Sequence, residues 1–150
     1  MAMNMQGEER IAASVDAVWA ALNNPDVLKA CIPGCEALDK KSDTHMTATV
    51  ALKLGPVKAR FTGDVQLKNL KPPHSYTIQG EGKGGIAGFA KGGADVTLTE
   101  DDGATILAYS VNADVGGKIA QLGSRLIDST AKKLAGQFFA NLNAQVSGAP

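Results

Sequence analysis

Val57-Lys58-Ala59-Arg60-Phe61-Thr62-Gly63-Asp64-Val65-Gln66-Leu67-Lys68 alternates apolar or small residues with polar ones without a break. A period of two over this length marks a strand with one covered and one wet face. Working towards the N-terminus, Met46, Ala48, Val50, Leu52 and Leu54 share one face against Thr47, Thr49 and Lys53; towards the C-terminus, Tyr76, Ile78, Gly80 and Gly82 oppose Thr77, Gln79, Glu81 and Lys83. The covered face of such a sheet normally carries bulky side chains packed to crystal density. Here it is interrupted by Ala48, Ala59, Gly63, Gly80, Gly82, Ala94 and Ala113. The pattern predicts room between the sheet and whatever packs on it, and so an apolar cavity.

The flanks decide what does the packing. A short strand over Met3–Ala12 leads to Ser14, which can cap a helix carrying Val15, Val18, Trp19 and Leu22, with Asp16 near its positive end. Asn24-Pro25-Asp26 closes that helix and opens a second short one, which Pro33-Gly34 ends. From Glu36 to about Val115 strands alternate with turns at Asp39–Asp43, Gly55-Pro56, Lys71–His74 and Glu100–Gly103. After Gly116-Gly117 the period changes: Ile119, Leu122, Leu126, Thr130, Leu134, Phe138 and Leu142 step by three or four, the stripe of one long amphipathic helix. Gly123 falls inside that stripe, at about 1 kcal/mol relative to Ala.

Composition narrows the function. A chain of 150 residues suits one domain, taken as residues 1–146 with a flexible tail at 147–150, and needs neither metal nor disulfide to fold. Fifteen basic and fifteen acidic residues without long runs of either sign disfavour nucleic acid as a partner. With no h-region at the start and no apolar run near the roughly 18 residues of a membrane span, a cytoplasmic protein is expected. Cys31 and Cys35 lack the second pair or neighbouring histidines that a metal site requires, and free thiols are expected. Gly80-Glu81-Gly82-Lys83-Gly84-Gly85 contains the bare spacing of a dinucleotide loop but joins no parallel strand to a helix, so it reads as bends in a curling sheet.

A strand, two short helices, an antiparallel run and a long final helix make an α+β helix-grip arrangement, a curved sheet wrapped around the C-terminal helix. This order resembles the START/Bet v 1-like (SRPBCC) superfamily, whose members commonly hold hydrophobic ligands. The set Val18–Leu22 with Asn24-Pro25-Asp26, Ile32–Glu36, Gly55-Pro56-Val57, Phe61-Thr62-Gly63, Gly80–Gly85, Gly88–Gly92, Tyr109, Gly116–Gly123 and Phe138-Phe139 is similar to the carbon monoxide dehydrogenase G-subunit family over nearly the whole chain. The resemblance implies a non-catalytic accessory of molybdenum-hydroxylase systems, carrying a quinone- or lipid-like molecule and acting transiently at the inner face of the membrane. Some relatives continue into a hydrophobic anchor, which this chain lacks.

The residues expected to bind the ligand are Met46, Phe61, Tyr76, Ile78, Phe89, Tyr109 and Val111 from the sheet and Leu122, Leu126, Leu134 and Phe138 from the helix. Tyr76 and Tyr109 supply the polar groups that orient it; the same alternation also serves ordinary core packing. Ile86, Ala87 and Phe89 are a candidate portal, and Lys118 and Arg125 stand where lipid headgroups, a partner or solvent could meet them. Neither His45 nor His74 falls on the covered face, no catalytic residues are assigned, and no cofactor or metal is expected. Two other readings compete: a protein–protein adaptor with a collapsed cavity, which would tolerate Leu at Ala59 or Gly63, and a cyclase- or hydratase-type enzyme dependent on the tyrosine hydroxyls.

Overall fold

Strands follow one another in antiparallel order, with turns where Gly, Pro and Asp interrupt the alternation. The computed structural model describes residues 1–147. It contains β1 (Ala2–Ile11), α1 (Val15–Leu22), α2 (Pro25–Cys31), β2 (Cys35–Ser42), β3 (His45–Leu54), β4 (Val57–Lys71), β5 (Ser75–Lys83), β6 (Phe89–Asp101), β7 (Ala104–Gly116) and α3 (Ser124–Ser147). Single 3₁₀ turns occupy Gly85–Ala87 and Lys118–Leu122. The seven strands form one sheet in the order β1-β7-β6-β5-β4-β3-β2, each antiparallel to its neighbour. This is the helix-grip fold, a curved sheet closed on one face by helices.

Local chemistry sets the joints. Ser14 Oγ accepts from the Ala17 N–H at 3.2 Å and Asn24 Oδ1 from the Asp26 N–H at 3.0 Å, so each short helix has a side-chain cap. Gly55, at φ +57°, makes the two-residue turn between Leu54 and Val57. The polar stretch expected as a turn at Asp39–Asp43 is mostly strand: β2 runs through Ser42, with Asp39 opposite Thr47 and Lys40 opposite Met46. Its pairing with β3 outweighs the poor strand preference of Asp and Lys.

The C-terminal helix begins later than its apolar period suggests. Gly117 (φ +80°) and Gly123 (φ +91°) bracket the 3₁₀ turn, and α3 starts only at Ser124. Gly123 is therefore a hinge rather than a mid-helix residue. The stripe through Ile119 and Leu122 is not in phase with α3, whose inward residues are Ile127, Ala135, Phe138, Phe139, Leu142 and Val146. The helix continues through Ser147, the first residue of the expected tail; the remainder of that tail, 148–150, lies outside the described residues.

Two apolar clusters hold the helices to the sheet. The larger joins Ile11, Val18, Leu22, Leu28, Cys31 and Leu142 to Met46, Leu67, Tyr76, Val96, Leu98 and Leu107. The smaller gathers Leu54, Val57, Ala87, Val115, Ile119 and Ile127 at the opposite end of the strands. Polar pins fix the end of α3: Asn143 Oδ1 accepts from the Ala12 N–H at 3.1 Å, its Nδ2 donates to the Arg10 carbonyl at 3.2 Å, and Asn141 Nδ2 donates to the Cys31 carbonyl at 3.0 Å. Replacing Asn143 by Ala is expected to remove about 1 kcal/mol of stability, a fall of roughly 2–4 °C in a thermal melt.

Candidate ligand-binding cavity

A row of paired residues makes the cavity floor. Leu67 on β4 lies opposite Ile78 on β5, Ile78 opposite Ala94 on β6, Ala94 opposite Val111 on β7, and Val111 opposite Met5 on β1. All five line an apolar cavity of about 330 Å³. Ala94 stands at the centre of this row, where a larger residue would fill the space. Met46, Ala48 and Val65 continue the floor on one side; Tyr76, Val96, Leu107 and Tyr109 continue it on another. The helical side is Leu22 from α1, Leu28 from α2, the following Ile32, and Ala135, Phe138 and Phe139 from α3, with Leu38 on β2. Ile78, Ala94 and Val111 remain only half-buried although residues of α3 wall the same space, so the floor is not covered.

Polarity enters through two phenols, since Tyr76 and Tyr109 are the only lining residues whose side chains carry oxygen or nitrogen. Tyr76 is 4% exposed, and its ring meets Trp19 edge-on with centroids 5.1 Å apart. Burial pushes its phenol well above the ordinary tyrosine range, so the group is a neutral O–H donor at every physiological pH. Within the described residues it makes no hydrogen bond, and no fully buried side-chain oxygen is left without a partner, so the Tyr76 hydroxyl oxygen itself opens onto water-sized space. Tyr109 stacks on Phe139 at 5.1 Å, and Phe139 meets Phe138 edge-on at 5.2 Å, so an aromatic wall runs from β7 onto α3. The Tyr109 phenol is also raised, first by burial and then by the nearby Glu9 carboxylate. Gly7 makes room for it: a Cβ there would stand 2.7 Å from the Tyr109 hydroxyl.

Of the residues expected at the ligand, Met46, Tyr76, Ile78, Tyr109, Val111 and Phe138 line this cavity. The others lie elsewhere. Phe61 and Leu122 pack on the smaller cluster, and Leu126 reaches the β3–β4 turn beside Gly55. Phe89 folds its ring over Gly116, and Leu134 is half-buried outside the lining. The portal suggested for Ile86, Ala87 and Phe89 borders no part of the cavity: Ala87 is locked into the smaller cluster, and none of the three is among the lining residues. The lining also includes Met5, Leu28, Ile32, Leu38 and Phe139, which are not among the residues expected at the ligand. Met5 follows from the alternation of Met3, Met5 and Gly7, the rest only from the packing of helices on sheet.

A second depression, about 780 Å³, lies on the outer face of the sheet, lined by Thr62, Asp64, Gln66, Thr77, Gln79, Glu81 and Lys91 among others. It is a broad, wet trough of mixed charge, unlike the concave apolar sites that bury most of a small ligand. Among the described residues no group of three metal-ligating side chains is gathered, and Cys31 and Cys35 are free thiols.

The family model for the carbon monoxide dehydrogenase G subunit (CoxG) matches residues 7–147. The chain belongs to this family. A conserved protein from Geobacillus kaustophilus is 30% identical, with a TM-score of 0.92 over 97% of this chain and 96% of that one. Two further solved structures share the fold: the Zhui aromatase/cyclase from Streptomyces sp. R1128, at 12% identity and TM-score 0.71 over 98% and 94% of the two chains, and a START superfamily protein from Mycobacterium smegmatis, at 11% and 0.71 over 97% of each. No curated protein matches the chain. The START-like likeness, at 11% identity, is one of fold. The aromatase/cyclase likeness, at its low identity, is one of fold alone.

Proposed function

We propose that this protein carries a quinone- or lipid-like molecule in the cavity and serves a molybdenum-containing dehydrogenase, visiting the cytoplasmic face of the membrane as it does so. The observation that carries this reading is an unfilled apolar cavity with the neutral Tyr76 phenol in its lining. An apolar ring fits such a lining, and a carbonyl oxygen on that ring can accept a hydrogen bond from the Tyr76 hydroxyl. At about 330 Å³ the space takes a ring-sized group, and any long isoprenoid tail must leave it. No carboxylate, amine, thiol or imidazole lines the cavity, which favours carriage over chemistry on the ligand. The family's description as a carbon monoxide dehydrogenase subunit supports the dehydrogenase partner; no helix among the described residues is long and apolar enough to cross a membrane, so the visit is proposed as a peripheral one.

Trp19 is the only tryptophan and touches Tyr76 edge-on, so it reports occupancy. Titration with a short-chain ubiquinone or menadione is expected to quench its fluorescence saturably at one molecule per chain. Tyr76→Phe should fold normally and bind about three- to tenfold more weakly, the worth of one hydrogen bond. Quenching that never saturates, together with no lipid released from protein purified from its own host, would overturn the carrier reading.

A further inference from the structure

We infer that the end of the molecule built from the β3–β4 turn, the Gly84–Phe89 loop and the segment after β7 is a docking surface for an anionic lipid bilayer, with Ile86 inserted among the headgroups. It rests on the proposed membrane visit and names the face that makes it.

Ile86 is 91% exposed, yet it sits on a fixed platform. Ala87 beside it is buried in the smaller cluster, the Gly84 N–H donates to the Gly88 carbonyl at 2.8 Å, and Gly88 (φ +114°) lies so close to Gly116 that a Cβ would stand 2.0 Å from its carbonyl oxygen. The isoleucine is thus displayed by a closed loop. A lone exposed isoleucine is ordinary; the charge around it is not.

Residues 53–58, 83–89 and 116–126 contain Lys53, Lys58, Lys83, Lys118 and Arg125 and no acidic residue, in a chain whose basic and acidic residues are equal in number. All five cations are exposed. Lys53 and Lys58 stand directly opposite each other across β3 and β4, a like-charge pairing that destabilises a sheet, and neither has an ion-pair partner among the described residues. Among the described residues Lys83 is the one of the five with a carboxylate within 4 Å, Glu81 at 3.8 Å, while Asp128 stands one turn of α3 beyond Arg125. Acidic residues collect at the other end of the strands, in the Glu100-Asp101-Asp102 turn between β6 and β7. The bordering Asp114 is occupied by the N-terminal ammonium at 3.0 Å.

Positive charge around a projecting apolar tip fits phosphate headgroups over acyl chain. A protein partner would need an apolar patch of the size of a stable interface, and at this end only Ile86, Phe89 and Met1 are large exposed hydrophobics. Lipid requires no pocket.

The test is co-sedimentation of the full chain with phosphatidylcholine vesicles, with and without phosphatidylglycerol. Binding is expected only with the anionic lipid and should weaken as salt shortens the screening length. Ile86→Asp, and separately the double variant Lys53→Glu/Lys58→Glu, should each weaken vesicle binding at least about tenfold. Lys40→Glu, at the far end of the sheet, should not. Quinone quenching of Trp19 should be unchanged in all three variants. Failure of the wild-type chain to bind anionic vesicles, or binding by the Ile86 and lysine variants equal to that of the wild type, would overturn the inference, including in favour of an acidic protein as the occupant. Vesicle binding without quinone quenching would instead sink the carrier reading and leave the docking face standing.

Discussion

Ala94→Leu is expected to abolish quinone binding, weakening it by at least about a hundredfold, while the protein stays folded and keeps its melting temperature. Ala94 lies at the centre of the row Leu67, Ile78, Ala94, Val111, Met5, and its side chain faces the cavity that those residues floor. A leucine there adds three carbons to existing space. If the space is real, burying them contributes up to about 2.4 kcal/mol, which offsets the rotamer freedom and adjustment the new side chain requires. If the core is filled instead, the same change is overpacking and costs about 1–3 kcal/mol. Thermal melts and Trp19 quenching on one sample separate the cases. Lost binding with an unchanged melt means a ligand site; a lowered melt with binding retained means a collapsed core and favours the adaptor. Ala59→Leu makes a useful contrast, because Ala59 packs on the smaller cluster and should lose stability without entering the cavity.

The two clusters divide the work between the ends of the sheet. Around the cavity the floor is apolar and half-covered, and the helices that roof it are pinned through Asn141 and Asn143. At the other end Leu54, Val57, Ala87 and Ile119 are buried against one another. A solid end can hold a loop rigidly against a surface, whereas an end with a void can change its contents. The N-terminus strengthens the solid end: the Met1 ammonium binds Asp114 and the Val115 carbonyl, tying β1 to β7 where the 3₁₀ turn begins.

The strands are legible in the sequence because alternation is a local signal. Met46, Val65, Leu67, Tyr76, Ile78 and Val111 all sit on the face that the period of two assigns them. What a period cannot give is position along the strand, and here that decides function. Phe61 and Val65 share a face of β4, yet Phe61 joins the smaller cluster and Val65 lines the cavity. The helix is harder to read. Gly123 at φ +91° separates Leu122 from α3, and within α3 residues four apart are turned about 40° from one another, so a stripe stepping through Leu126, Leu134 and Phe138 drifts across the face that turns inward. Phe139 faces the cavity for that reason. The small residues are legible as a band but not as to cause. Ala48 and Ala94 border open space, whereas at Gly63 a Cβ would meet the Glu81 carbonyl oxygen at 2.7 Å, a matter of strand approach and not of volume.

That distinction gives the sharpest stability contrast in the molecule. Gly92 and Gly82 lie on neighbouring strands, β6 and β5. At Gly92 a Cβ would stand 2.1 Å from the Asn112 carbonyl oxygen and 2.7 Å from the Ala113 Cα, both backbone of β7 and directly across the ladder. Backbone cannot swing aside as a side chain can, so Gly92→Ala must push β6 from β7, with an expected loss of about 3 kcal/mol. For a chain of this length that is a fall of roughly 6–12 °C in melting temperature. At Gly82 the nearest atom is the Phe61 Cβ at 3.9 Å and φ is not in the left-handed region. Gly82→Ala should therefore gain about 0.4–1 kcal/mol by restricting the unfolded chain. Equal melts for the two variants would mean that both glycines serve only to leave space. A large difference in the expected direction means that Gly92 permits the close crossing by which the sheet coils, two residues from Ala94 and Val111, and so sets the depth of the floor on which the ligand would rest.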